Sequence, residues 1–199
     1  MKAILISIKP KWCALMMNGD KTIEVRKENV GKAFQKLIDE YGFADVYVYC
    51  TKGKEKLYGC GLTDVDGEGG NIYFADKKED LMEINETGFL NGKVLFKFRC
   101  YKVEEIKLNL AMRFFTKTLN EKELGDKTCL LGVEIFNYLK NKTGYAIHIS
   151  ELEIFDKPKE LSEFETTKQQ LVDIGQEQPI LQNIKLTKAP ESFCYIEVE

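Results

Sequence analysis

Residues 4–27 read "ILISIKPKWCALMMNGDKTIEVRK". This stretch compresses three elements. The run from Ala3 to Ile8 is apolar apart from one serine, which reads as a buried strand. Pro10 stands at a favourable first helical position, Trp12, Leu15 and Met16 recur at helical spacing, and Gly19 supplies a stop. The segment Thr22–Arg26 then alternates. Ile23 and Val25 share one face, with Thr22, Glu24 and Arg26 on the other. A short helix therefore bridges two strands, and the second strand carries an acid beside a base.

Working outward, residues 32–41 ("KAFQKLIDEY") form an amphipathic helix through Phe34, Leu37, Ile38 and Tyr41. Residues 45–50 ("DVYVYC") and 92–106 ("GKVLFKFRCYKVEEI") read as strands, and 57–65 as a further one. Residues 120–141 suit one or two helices, the second running through Leu131, Ile135 and Leu139. Residues 144–155 ("GYAIHISELEIF") form a strand whose alternation shifts near Ser150–Glu151, as a bulge would make it. A turn and short helix follow at 157–164, and 191–199 is a closing strand with Cys194, Ile196 and Val198 on one face. Two segments read as insertions: glycine-rich, acidic 64–92 and polar, glutamine-rich 165–183. The strands do not alternate regularly with long helices. The expected fold is α+β, one domain over 1–199, with a mixed barrel-like sheet of about six or seven strands and peripheral helices.

The chain has 199 residues, 44% hydrophobic and 31% charged, as in a soluble globular protein. It has no apolar stretch of membrane-spanning length and no signal-peptide pattern, so a cytoplasmic location is expected. Six cysteines without a C-x-x-C pair, and a single histidine, make a metal site improbable and free thiols the simplest reading. A net charge of −3 excludes a generally basic nucleic-acid binder. The charge is uneven, however. Residues 1–56 carry 11 Lys and Arg against 7 Asp and Glu, whereas 64–86 carry 8 acidic residues against Lys77 and Lys78.

The quoted stretch resembles the opening of ASCH domains, a branch of the PUA-like superfamily, in bacterial and phage members. The resemblance rests on a strand ending in "IKPK", a short helix, a glycine, and the string G-x-K-T-I-E-x-R at 19–26. Residues 144–164 and 186–198 look like that family's closing strands. The resemblance implies a PUA-like β-barrel with a cleft facing the segment after the first helix, and ligands that are RNA or modified nucleosides. One enzymatic relative removes the acetyl group of N(4)-acetylcytidine with a threonine nucleophile, a lysine and a glutamate. The lysine matches Lys21, whereas Glu24 stands at the threonine position.

The candidate ligand-binding residues are thus Lys9, Lys21, Glu24, Arg26 and His148. Arginine can grip a phosphate or base edge bidentately, and a carboxylate can accept from an amino group such as that of cytosine. The leading expectation is RNA or modified-nucleoside binding without a cofactor. The alternative is a metal-independent hydrolase, an amidohydrolase or ribonuclease, with Lys21 and Glu24 catalytic. A third reading is a protein-interaction module using the acidic segment 64–86. Thr22 offers a displaced nucleophile. Tyr47, Tyr49, Phe193 and Tyr195 offer stacking faces, although strand aromatics usually belong to the core.

Overall fold

The computed structural model describes residues 1–61, 72–75, 90–109, 113–140, 142–172 and 180–198. The first apolar run forms β1 (Lys2–Ile8), buried on both faces from Ala3 onward. Pro10 starts α1 (Pro10–Met17), which ends ahead of Gly19 at φ 84°. Then come β2 (Ile23–Lys27), α2 (Glu28–Tyr41), β3 (Ala44–Cys50), β4 (Tyr58–Gly61) and β5 (Ile72–Ala75). They are followed by β6 (Val94–Cys100), β7 (Val103–Leu108), β8 (Phe114–Phe115), α3 (Glu121–Thr128) and α4 (Gly132–Leu139). The chain closes with β9 (Gly144–His148), β10 (Ser150–Lys159), a short 3-10 turn at Leu161–Glu163, β11 (Glu165–Val172), β12 (Ile180–Lys185) and β13 (Phe193–Glu197).

Among the described residues three sheets result. The large one has the order β10-β6-β3-β1-β13-β11-β12, the small one β2-β9-β7-β8, and β4 and β5 form a two-stranded ribbon. Among the described residues only β1 and β3 pair in parallel within the larger sheet. Two ribbons cross from one sheet to the other. β6 runs into β7 across Tyr101 and Lys102, and β9 runs into β10 across Ile149. The second crossing carries Glu151 at φ 48° and a register shift between Ser150 and Glu153, the bulge that the broken alternation announces.

Three cores follow from this layering. Ile4, Ile6, Ile8, Val46, Phe96 and Phe98 on one face of the large sheet meet Phe34 and Leu37 of α2 and Ile147 of β9. Ala3, Leu5 and Ile196 on the opposite face meet Phe164 and Leu186. Ile23, Val25 and Ala146 of the small sheet meet Leu124 of α3 and Ile135 and Leu139 of α4.

The structure departs from the sequence reading in four places. Among the described residues the strands form sheets of seven, four and two strands, and the pairings close no barrel. The 64–92 segment is more than a loop, since β5 pairs with β4 and Asn18 clamps the Phe74 backbone from both sides at 2.8 and 2.9 Å. The remainder of the acidic stretch 64–86 lies outside the described residues. The polar 165–183 segment contributes to a hairpin, β11–β12, that extends the large sheet through β13. Leu131 is not a core position: it caps α4 from outside and is 69% exposed, because the chain breaks into two helices at Cys129–Leu131.

Candidate functional site

The elements around β2 enclose a cavity of about 410 Å³. Its lining comes from the end of β1 (Ser7, Ile8), the start of α1 (Lys9, Trp12), Lys21, and β2 (Glu24, Val25, Arg26). Thr51 after β3, Leu130, Glu134 and Tyr138 around α4, and Glu191 before β13 complete it. The volume lies within the range of small-molecule sites.

The floor is a triad of charges. Lys21, Glu24 and Arg26 are 2%, 8% and 8% exposed. The alternation of β2 had pointed to one buried and one outward face. In the structure both are buried, because β2, the edge strand of the small sheet, lies between the large sheet and the helices α3 and α4. Ile23 and Val25 face α3 and α4, and Glu24 faces the large sheet alongside Ile147, its register partner.

Lys21 Nζ donates to the carbonyls of Ile23 at 2.8 Å and Thr128 at 2.7 Å, and stands 3.3 Å from Glu24 Oε2. The two carbonyls take up two of its three ammonium hydrogens, and Glu24 lies within ion-pair distance. Arg26 Nη2 donates to the Ser7 carbonyl at 2.8 Å, which ties β2 to the end of β1. Arg26 Nε lies 3.0 Å from Glu24 Oε1, close enough for an ion pair but off the line a hydrogen bond needs. Glu24 is therefore a carboxylate flanked by two cations, with lone pairs remaining for a ligand. Replacing such buried ionic groups by apolar ones is often neutral for stability, so the triad is poorly explained as a stability device.

Two aromatic residues complete the site. Trp12 has Lys21 Nζ 5.1 Å and Lys11 Nζ 4.6 Å from its ring centre. Tyr138 is 39% exposed as a whole, with its hydroxyl turned inward, and burial pushes the phenol up against the lowering pull of Arg26. Lys27 Nζ stands 5.1 Å from the Tyr138 ring.

The structure thus brings Lys9, Lys21, Glu24 and Arg26 to one cavity, with Lys9 exposed at its mouth. It does not bring His148 there. β2 and β9 pair with Ile23 opposite His148, so the histidine shares the face of Ile23 and points away from Glu24. It belongs to a second cluster, with Nε2 2.8 Å from Glu104 Oε2. Glu104 also lies 3.0 Å from Lys102 Nζ and accepts from the Thr118 hydroxyl at 2.9 Å and backbone N–H at 3.1 Å. Burial pushes the Glu104 carboxyl up, but the bonds from Lys102, Thr118 and His148 outweigh it and hold the group down at about 2. The carboxylate sits between threonine and histidine, so the histidine cannot take the threonine's proton and the cluster reads as a brace.

Thr22 is exposed and lies outside the cavity lining, as do Tyr47, Tyr49, Phe193 and Tyr195. Tyr47 packs on Phe155 and Phe164, and Phe193 on Tyr195. Sequence reasoning missed Tyr138, Glu134 and Glu191. Tyr138 carried a usable signal, an aromatic residue off the apolar stripe of α4. Among the described residues no group of three His, Cys, Asp or Glu is placed to hold a metal. Among the described residues Cys13, Cys50, Cys100 and Cys129 are free thiols, and the side chain of Cys60 lies outside the described residues. No helix among them is long and apolar enough to cross a membrane.

No family model matches this chain. No curated protein matches it either. Among solved structures the chain is similar to the crystal structure of ASCH from Zymomonas mobilis. The identity is 11% and the TM-score 0.43, over 80% of this chain and 73% of that one.

Proposed function

We propose that the cavity binds a nucleobase or nucleoside, free or within RNA, in a cytoplasmic protein. The observation that carries this reading is the lining's charge balance. Lys9, Lys21 and Arg26 face Glu24, Glu134 and Glu191, three cations against three carboxylates. The two buried cations are already engaged by Glu24 and by main-chain carbonyls. Such a floor offers little to a phosphate. It offers an uncharged ring system a carboxylate acceptor with free lone pairs, a phenol, and aromatic walls. The resemblance of residues 4–27 to ASCH openings supports the same ligand class.

Binding is the stronger reading than hydrolysis. Lys21 Nζ donates to two carbonyls and faces Glu24, so its hydrogen-bonding capacity is largely spent within the floor of the cavity. Glu24, at the position where the N(4)-acetylcytidine hydrolase resembled here has its threonine, brings no hydroxyl nucleophile. Lys21 is accordingly a positioning residue.

Trp12 is the chain's one tryptophan, and it lines the cavity. The test is a fluorescence titration with cytidine, N(4)-acetylcytidine, uridine and adenosine, run beside mass-spectrometric detection of deacetylation. The expected result is a saturable change in Trp12 emission for at least one nucleoside, with no product. Glu24→Gln should weaken it by about 1–3 kcal/mol, the range for a discriminating base contact. Equal binding by wild type and Glu24→Gln would remove the site assignment. Release of acetate by wild type and not by Glu24→Gln would replace binding with hydrolysis.

A further inference from the structure

The cavity opens where two parallel strands end. Ile8 of β1 is the register partner of Cys50 of β3, so the segments leaving both strands emerge side by side. The Thr51 N–H donates to the Ile8 carbonyl at 2.8 Å, which locks them together, and Thr51 itself lines the cavity. Both segments are rich in lysine. One carries Lys9 and Lys11, and the other is "TKGKEK" at 51–56, with Lys52 and Lys54 exposed and Glu55 the single acid.

The second segment is held in a fixed shape. Asn91 donates to the carbonyls of Thr51 and Glu55, each at 3.0 Å, and accepts from the Leu57 N–H at 2.8 Å. Leu57 is fully buried, and the Lys52 stem lies against Gly92, where a side chain would collide with it at 2.6 Å. A loop with four exposed or half-buried charged side chains would be expected to be loose in water, yet this one is fastened at both ends and in the middle.

We propose that Lys9, Lys11, Lys52 and Lys54 form a phosphate-tracking collar. On this inference the ligand is one unit of a single-stranded polynucleotide whose backbone crosses the collar while its base enters the cavity. The inference rests on the nucleobase reading above and adds the source of the ligand. Its logic is a division of labour. The cavity lining, Lys9 included, has no net formal charge and sorts rings, whereas the rim, which shares Lys9 with it, carries four lysines from two adjoining segments and holds the strand without reading sequence. A preset loop orders few groups on binding, so its charges act with little entropic loss.

The experiment measures binding of a ten-nucleotide RNA, the matching DNA, polyglutamate and a free nucleoside between 50 and 200 mM salt. It uses wild type and the double variant Lys52→Gln/Lys54→Gln, with Trp12 emission and anisotropy as readouts. Four lysine–phosphate contacts on a single strand predict a log–log salt slope of about −2.8, or roughly 50-fold weaker RNA binding across that range. The double variant, with two contacts, should show a slope of about −1.4 and roughly 7-fold weakening, while its free-nucleoside affinity is unchanged. Equal salt slopes for wild type and double variant overturn the collar and leave the nucleobase reading standing. Polyglutamate binding as tight as RNA also overturns it, since the rim would then be an unselective cation patch. A strand that binds with the predicted slopes while no nucleoside binds alone supports the collar and removes the free nucleoside as a ligand. RNA over DNA, or equal affinity for both, identifies the strand chemistry, and either supports the collar.

Discussion

Lys21→Met tests whether this lysine is a strut or a ligand group. The substitution keeps the length of the side chain and removes the ammonium. It takes the donor from the Ile23 and Thr128 carbonyls and one of two cations from Glu24, at a site 2% exposed. A hydrogen bond involving a charged group is worth about 1.5–3 kcal/mol net. Against two such bonds stands the relief of no longer keeping an ammonium dry, several kcal/mol. Glu24 keeps Arg26, so its residual cost is smaller than that of a fully orphaned charge. The balance is a loss of about 2–4 kcal/mol from a domain stability of about 5–15 kcal/mol. That corresponds to roughly 4–16 °C in melting temperature for a chain of this length. Urea unfolding should show a lower midpoint with unchanged slope. Hydrogen exchange should quicken at the end of α3, where Thr128 loses its anchor. A variant within about 0.5 kcal/mol of wild type in stability, yet deficient in nucleoside binding, would refute the reasoning and make Lys21 a ligand contact.

Three other expectations follow from the same geometry. Because Glu104 titrates near 2 in the folded chain, below its ordinary 4.5, its contribution is whole above about pH 4.5 and drains away as pH falls towards 2. Urea unfolding across pH 6 to 2 should show a decline that Glu104→Gln flattens, on the order of 2 kcal/mol once the half-exposed Lys102 is discounted for screening. Burial pulls His148 below its ordinary 6.5 despite Glu104. NMR titration of this single histidine should give a lower value, and its protonation should cost stability as pH drops below about 6.5; a value above 6.5 would contradict the burial argument. At Gly31 in α2 a Cβ would come 2.3 Å from the Tyr145 ring, so Gly31→Ala should destabilise by about 1–3 kcal/mol despite its better helix propensity, and a higher melting temperature would disprove that close approach.

The local elements were readable because each had one dominant signal. The apolar run of β1, Pro10 and Gly19 around α1, the stripe of α2 and the broken alternation at Ser150–Glu151 all depend on near neighbours in the chain. What was not readable depended on which strand pairs with which. Composition cannot say that β2 leaves the large sheet to join β9, yet that choice buries Glu24 and Arg26 and turns a half-exposed strand into the floor of a cavity. The same pairing sends His148 to the wrong face for the site, since register, not sequence proximity, decides which side it takes. Tyr138 and Glu191 reach the cavity from α4 and the approach to β13, more than a hundred residues from Lys21, and no spacing rule connects them. The β11–β12 hairpin escaped because glutamine and threonine mask a strand whose apolar content is low.

The pairing of β1 with β13 has a consequence for the order of assembly. β1 lies inside the large sheet, with β3 on one side and β13 on the other, and Lys2 is registered with Glu197. Its first neighbour is made within fifty residues, and its second only once residues 193–197 have been made. During synthesis the most apolar strand of the molecule therefore waits with one hydrogen-bonding edge bare, shielded on one face by α1 and α2. Closing that edge joins residues separated by almost the whole sequence, the arrangement that slows folding most. The cavity's Glu191 arrives in the same step, just ahead of β13. The cavity is thus complete only once β13 has paired with β1.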